Sequence, residues 1–325
     1  MEWYWWALFL GIVAILMGAD LGLFQRKAHE VKLSEALQST ALRVFLALLF
    51  CLALYLGWIG GYEAGPERNH ASMEFLTAYI VEIALSIDNV FVFALIFRYF
   101  RVPAEFQHRV LFWGILGALI MRAIMIFAGI ALIERFHWVI YVFAIILMYG
   151  GIKMIRHDVE DTDPSENPIL KLFKRFVPVS KKMYGTHFLT REEGGRLMAT
   201  PLCLVLIAIE TTDLIFAVDS IPAVLAVSRD PFIVFTSNVF AIIGLRALYF
   251  ALASILPLFR YLHYGLSAVL VFIGTKMLLS GTPYKIETVQ SLIVVLVLLS
   301  VSVIASLIIK EDKSKKPKLP PEGEE

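Results

Sequence analysis

Long apolar stretches separated by short polar ones run along almost the whole chain. A helix needs about 20 mostly apolar residues to cross a hydrocarbon layer of ~30 Å. Runs of that kind fall at 3–23, 40–60, 74–98, 110–132, 137–155, 199–227, 232–256, 264–280 and 288–309. The pattern predicts an all-α polytopic membrane protein of about nine transmembrane helices. The first run opens on Trp3, Tyr4, Trp5 and Trp6, an aromatic belt for the membrane–water interface. It has no positive leader and no small-residue cleavage pattern, so it is expected to stay in the mature protein.

Basic residues near helix ends stay cytoplasmic, which orients the spans. With the N-terminus outside, 20 of the 29 Lys and Arg residues fall on the cytoplasmic side, among them Arg26, Lys27, Arg98, Arg101, Arg156 and the lysines after 309. Arg68, Arg135, Arg229 and Lys285 stay on the other. The expected topology is N-out and C-in. The long connection opens on Asp158, Glu160, Asp161, Asp163 and Glu166, which read as a solvated loop. Residues 168–177, next in the chain, have the bulk and charge of a short helix lying on the anionic leaflet.

The chain also resembles itself. Tyr141, Gly151, Lys153 and Met154 match Tyr264, Gly274, Lys276 and Met277 at an offset of 123, and Arg122-Ala123 matches Arg246-Ala247 at 124. Arg101 and Pro103 match Arg229 and Pro231 at 128, and Glu82, Asp88 and Asn89 match Asp213, Asp219 and Ser220 at 131. Offsets that drift in one direction are those of a duplicated unit with differing loops. Each unit holds three helices, and an odd number makes the second copy enter from the opposite side, so an inverted repeat is expected. The chain then divides into two N-terminal spans (1–73), a first three-helix unit (74–156), a cytoplasmic loop (157–198), an inverted second unit (199–280), a last span (281–309) and a disordered cytoplasmic tail (310–325).

Composition agrees and narrows the function. The 325 residues are 59% hydrophobic and 18% charged, with a mean hydropathy of +0.75, which excludes an ordinary soluble domain. A net charge of +1 leaves no basic surplus for nucleic acid; the surrounding partner is the lipid bilayer, and no protein partner is indicated. Cys51 and Cys203 lie inside apolar runs and read as packing residues rather than a thiolate cluster.

Against that background the intramembrane acids stand out, because a carboxylate at a helix centre costs roughly 2.5–3.5 kcal/mol on insertion scales. Glu82 and Asp88-Asn89 lie in one helix, and Glu210, Asp213 and Asp219-Ser220 in its counterpart. Asp20 sits near the cytoplasmic end of the first span. Glu82 and Asp88 are six apart, as are Asp213 and Asp219, so each pair points about 120° apart on a helix. Either the helix is interrupted or the acids serve different sides of a crowded interface. Pro222 favours a break that frees the carbonyl near Val218. Arg122 and Arg246, in the second helix of each unit, are the natural counter-ions, while Lys153 and Lys276 lie near helix ends and can snorkel to the interface. Five acids against two arginines leave negative charge for a divalent cation. The oxygen-rich setting, with all seven histidines in loops or at span ends, favours Mg²⁺, Ca²⁺ or Mn²⁺ over Cu⁺ or Zn²⁺. No organic cofactor is indicated.

The motifs Glu82-x5-Asp88-Asn89-Val-Phe-Val, Glu210-x2-Asp213-x5-Asp219-Ser-Ile-Pro222, Asp230-Pro-Phe-Ile-Val-x-Thr-Ser-Asn238 with Arg246-Ala, and Gly274-x-Lys276-Met277 closely resemble those of the TerC/Alx family of bacterial membrane proteins. The resemblance runs from about residue 10 to 309. It implies a cytoplasmic-membrane protein tied to tellurite resistance and manganese export, grouped with LysE-type exporters, and it is the resemblance that selects Mn²⁺ as the transported substrate. The expected ligands are Asp88, Asn89, Asp219 and Ser220, with Glu82, Glu210 and Asp213 as further ligands or proton acceptors and Asn238 contributing an amide oxygen. Two other classes fit parts of the pattern. One is an accessory protein supplying metal to secreted proteins. The other is an intramembrane aspartyl hydrolase, against which stands the absence of a Gly-x-Gly-Asp signature.

Overall fold

A computed structural model of the chain describes residues 2–24, 33–156, 173, 175, 177–180, 184–191, 197–252, 261–279, 282, 284 and 286–308. Nine helices lie among them: α1 (Trp3–Phe24), α2 (Leu33–Leu56), α3 (Pro66–Tyr99), α4 (Ala104–Arg135), α5 (Val139–Arg156), α6 (Pro201–Val227), α7 (Pro231–Leu252), α8 (Leu262–Leu279) and α9 (Thr288–Ile308). Six helices are long and apolar enough to cross a membrane, and shorter apolar stretches lie at Trp3–Ala19, Val139–Met154 and His263–Leu279. The architecture is all-α apart from a small hairpin, in which β1 (Leu189–Arg191) pairs antiparallel with β2 (Leu197–Ala199), Leu189 opposite Ala199.

Helices begin and end where the local chemistry dictates rather than where apolarity fades. α3 starts at Pro66, suited to a first helical position because it needs no N–H partner, with Glu67 in the first turn. Its 34 residues make a rod of about 51 Å, well beyond the hydrocarbon layer. α2 stops at Leu56 because Gly57 adopts a φ of 75°, a left-handed conformation glycine takes without penalty. The expected helix break does not occur: α3 runs unbroken through Glu82 and Asp88, and α6 runs unbroken through Pro222. Proline is tolerated inside membrane helices because neighbouring groups re-satisfy the carbonyl it frees. Of the two readings of the six-residue spacing, the interrupted helix is therefore the one that fails. Of the 168–177 segment only Phe173, Arg175 and Val177 are described, and Phe173 packs on the protein's own apolar cluster. The acidic run and the 310–325 tail lie outside the described residues.

α3 packs on α7, α4 on α6, and α5 on α8, with α2 against α3 and α7. One end is filled by an aromatic cluster. Phe50 of α2 stands 5.1 Å from both Phe75 of α3 and Phe240 of α7, ring centre to ring centre, with Phe9 of α1 5.7 Å away. The other end is closed by Val90, Phe93 and Phe97 of α3, Leu202, Val205 and Ile209 of α6, and Tyr249 of α7. Tyr249 Oη donates to Gln107 Oε1 at 2.8 Å.

α5 and α8 approach each other most closely, through two glycines. A methyl group on Gly151 would come 2.8 Å from the Ser267 carbonyl oxygen, and one on Gly274 would come 2.8 Å from the Ala144 carbonyl oxygen. Gly151 and Gly274 stand 123 apart in sequence, as do Ala144 and Ser267, so exchanging the two helices at that offset maps each contact onto the other. The helices run antiparallel here, so such an exchange turns about an axis across them. Ser267 Oγ adds a hydrogen bond to the Gly151 carbonyl. Both obstacles are backbone oxygens that cannot rotate away. Gly151→Ala and Gly274→Ala should therefore each destabilise the protein by about 1–3 kcal/mol, the range for overpacking. Melting of the detergent-purified variants checks this, and unchanged melting of both would show that the helices are not held this close.

Candidate functional site

The centre of the bundle carries a polar network formed by four helices. On α3, Glu82 and Asn89 are seven residues apart and share a face; on α6, Asp213 and Ser220 do the same. α4 contributes Arg122 and α7 contributes Asn238. Arg122 is 2% exposed, Glu82 0%, Asp213 2%, Asn89 2% and Asn238 1%, so water screens little of the attraction among them.

The Arg122 guanidinium joins the two acidic helices. Its Nη1 donates to Glu82 Oε2 at 2.7 Å. Its Nε and Nη2 donate to Asp213 Oδ2 at 3.2 Å and Oδ1 at 3.0 Å, the two-pronged geometry that guanidinium and carboxylate favour. Two amides complete the shell: Asn89 Nδ2 donates to Asp213 Oδ1 at 3.1 Å and Asn238 Nδ2 to Glu82 Oε1 at 2.7 Å. Two carboxyl groups share one guanidinium, so the acids of the network outnumber its cation. On the faces of α6 and α7 that carry these residues, the buried oxygens Asn238 Oδ1 and Ser220 Oγ find no hydrogen-bond partner among the described residues. Buried polar oxygens are nearly always satisfied, so these two are exceptions that packing alone does not explain.

The remaining expected site residues are placed differently. Glu210, one turn before Asp213 on α6, stands outside the Arg122 network with its carboxyl group against Gly117 of α4. Arg246 is buried at the position of α7 that matches Arg122. Lys153 is exposed near the end of α5. The side chains of Asp20, Asp88 and Asp219 lie outside the described residues, although the helices that carry them are described. Among the described residues no three His, Cys, Asp or Glu side chains group as a metal site; the polar centre mixes carboxylate, amide and hydroxyl oxygens instead.

A second polar region, not anticipated from the sequence, lies where α3 and α7 begin. A cavity of about 970 Å³ is lined there by Glu74, His70, Ser228, Arg229, Lys276 and Glu287, with apolar walls from Ile133, Ile140 and Leu225. Ser228 Oγ donates to Glu74 Oε2 at 2.7 Å, and His70 Nδ1 lies 3.3 Å from Glu74 Oε1. Lys276 is 8% exposed and lines this cavity rather than reaching bulk water. Tyr62, in the α2–α3 loop, donates its hydroxyl to Asp230 Oδ2 at 2.9 Å. Asp230 Oδ1 in turn accepts from the Phe232 backbone N–H at 2.8 Å, capping α7. Burial and the Asp230 carboxylate push the Tyr62 phenol well above its ordinary range, so this clasp keeps its proton at physiological pH. The signal for Glu74 was a carboxylate at the very start of an apolar run, and that for Asp230 an Asp-Pro pair opening a helix.

The comparisons with known proteins agree with this architecture. The family model described as "Integral membrane protein TerC family" matches residues 67–314. An uncharacterised membrane protein of Myxococcus xanthus is 49% identical over 303 residues, covering 93% of this chain and 92% of its own. A Photorhabdus laumondii protein whose name calls it a membrane-bound redox modulator, Alx, is 42% identical over 311 residues, 95% and 96% of the two chains. Its Escherichia coli K12 namesake is 43% identical over 275 residues, 84% and 85%. No solved structure matches. Multiple apolar helices, an ion-paired polar centre and a family match across both acidic helices lead to one assignment: the chain is a multi-pass integral membrane protein of the TerC family.

Proposed function

We propose that this protein exports a divalent cation, Mn²⁺, from the cytoplasm by alternating access around the acidic centre. The observation that carries this reading is the buried network of two carboxyl groups, Glu82 and Asp213, on one guanidinium, Arg122, with the unpartnered oxygen of Asn238 in it and that of Ser220 two turns along α6 from Asp213. Polar groups with no partner inside a bundle are costly if they serve packing alone. They are what a hard cation needs when it sheds water. The substrate ligands are Asp88, Asn89, Asp219 and Ser220, with Glu82, Glu210, Asp213 and Asn238 completing the set. Arg122 and Arg246 balance charge when the site is empty. Arg122 sits between Glu82 and Asp213, where a divalent ion would otherwise be attracted, so loading requires its fork to loosen.

Access depends on the two ends of the bundle. The exchange that relates Gly151 to Gly274 supports the inverted relation of residues 74–156 and 199–280, on which rocking between two faces depends. With the N-terminus outside and the C-terminus cytoplasmic, in the inner membrane of a bacterium, the 970 Å³ cavity opens outward. The apolar plug around Phe93, Phe97 and Tyr249 then closes the cytoplasmic face. Choice of Mn²⁺ over other hard ions rests on the family resemblance.

Binding to the purified protein tests the reading. Mn²⁺ should bind saturably, and Asp213→Asn should weaken it by at least about tenfold, the lower range for loss of a supporting metal contact. Equal binding by wild type and variant would contradict it. The accessory reading, in which the protein hands metal to secreted proteins, predicts binding without flux from vesicles that hold this protein alone.

A further inference from the structure

Glu210 differs from the other described acids of the centre in having no cation beside it. Glu82 and Asp213 are both bonded to Arg122, whereas Glu210 makes no hydrogen bond or ion pair among the described residues. Its carboxyl group instead occupies the space where a side chain at Gly117 in α4 would begin. A methyl group at Gly117 would overlap Oε1 and come 2.5 Å from Cδ and 2.6 Å from Oε2. No side chain larger than hydrogen leaves that space. Glycine removes the Cβ where close approach is needed.

The position of this notch along the bundle is informative. Glu210 precedes Asp213 by one turn, on the side where α6 begins, and Gly117 precedes Arg122 by about 7.5 Å along α4. Both displacements lead toward the ends of α4 and α6 that the sequence assigns to the cytoplasm. A cation coming from that side reaches Glu210 before it reaches the carboxylates held by Arg122. No cation among the described residues stands beside its carboxyl group, while theirs are both engaged by Arg122.

Resting on the export reading, we propose that Glu210 is the first carboxylate to capture the cation from the cytoplasmic side, and that Gly117 is the positioning residue that keeps its seat. The ion then passes one helical turn to the Asp213 and Glu82 carboxylates as Arg122 loosens. Gly117 touches no substrate; it acts through Glu210 alone. An added methyl would strike the far end of a flexible side chain, not a backbone, so Gly117→Ala moves the carboxyl group while sparing the helix packing.

The test is a double-substitution cycle read by binding and by transport. Mn²⁺ binding to the purified full-length protein is followed by loss of the free-ion electron paramagnetic resonance signal. Gly117→Ala should weaken binding about tenfold, as loss of a supporting contact does, with the melting profile preserved. Glu210→Gln should weaken it at least as much, and the double variant no further, because both changes act on one group. Gly117→Ala with Glu210→Asp should regain most of the affinity, since the shorter side chain clears the methyl. In sealed vesicles the same change should raise KM for Mn²⁺ on the cytoplasmic face while leaving kcat within about twofold, the signature of lost initial binding. Additive losses, or failure of Glu210→Asp to rescue Gly117→Ala, would overturn the proposal, as would a fall in kcat with KM unchanged. If Gly117→Ala fails to fold, Glu210→Gln in the wild-type background decides through the KM readout: an unchanged KM overturns the capture role. The two readings fail separately. Binding with no flux sinks export but leaves the cycle readable, whereas flux with additive losses sinks only this inference; a protein that binds no Mn²⁺ sinks both.

Discussion

Arg122→Met will lose most of the folded protein from the membrane. The change leaves Glu82, 0% exposed, and Asp213, 2% exposed, as two carboxylates without the cation they share. Removing one partner of a buried ion pair costs about 3–5 kcal/mol, a large part of the total stability of most domains. Arg122→Lys should do better but fall short of wild type. A single ammonium keeps the charge but cannot reproduce the fork that spans Nε and Nη2 to Asp213 and Nη1 to Glu82. The triple change Arg122→Met, Glu82→Gln, Asp213→Asn removes all three charges together, and matched neutral replacements of a buried ion pair are often tolerated. Folded protein should return, with export absent. Size-exclusion profiles of fluorescently tagged variants check the series, and a fully folded Arg122→Met would mean the network does not hold the acidic helices together.

The second large effect falls on export rather than on folding. Asp88 and Asp219 occupy matching positions in the two acidic helices and lie about 120° around the helix from Glu82 and Asp213. That places them on a different helix face from the residues bonded to Arg122. Asp88→Asn and Asp219→Asn retain size while removing one charge each, so the amount of folded protein should stay near wild type. Efflux of Mn²⁺ should nonetheless fall to background in either variant, and cells carrying one should accumulate manganese as a deletion strain does. Undiminished efflux from the double substitution would put the ion path elsewhere.

How far the sequence could be read depended on the kind of signal. Apolar runs located each described helix, because lipid leaves few alternatives to a continuous apolar helix. Their ends were missed where helix and hydrocarbon part company. The polar first turns of α3, from Pro66 through His70, open on a proline at the first helical position with Glu67 in the first turn, signals of a helix start that hydropathy does not register. The six-residue spacing of the acids correctly left two options, intact or broken helices, and Pro222 argued for the wrong one because a membrane helix can absorb a proline. Arg122 was legible as a counter-ion from its place in the repeat. Its division between Glu82 of one unit and Asp213 of the other needed coordinates, since no spacing encodes which helices touch. Gly117 was invisible for a related reason. Glycine is common in membrane helices, and only the carboxyl group lying over it distinguishes this one.

Flux through the protein alone tests the central claim most directly. Purified protein is reconstituted into sealed vesicles with no other component, an Mn²⁺ gradient and a defined pH are set on each face, and metal movement is followed in time. The account predicts saturable Mn²⁺ transport by wild type that Asp88→Asn and Asp219→Asn both abolish. Vesicles in which wild type moves Mn²⁺ no faster than the doubly substituted protein, under every imposed pH, would contradict it.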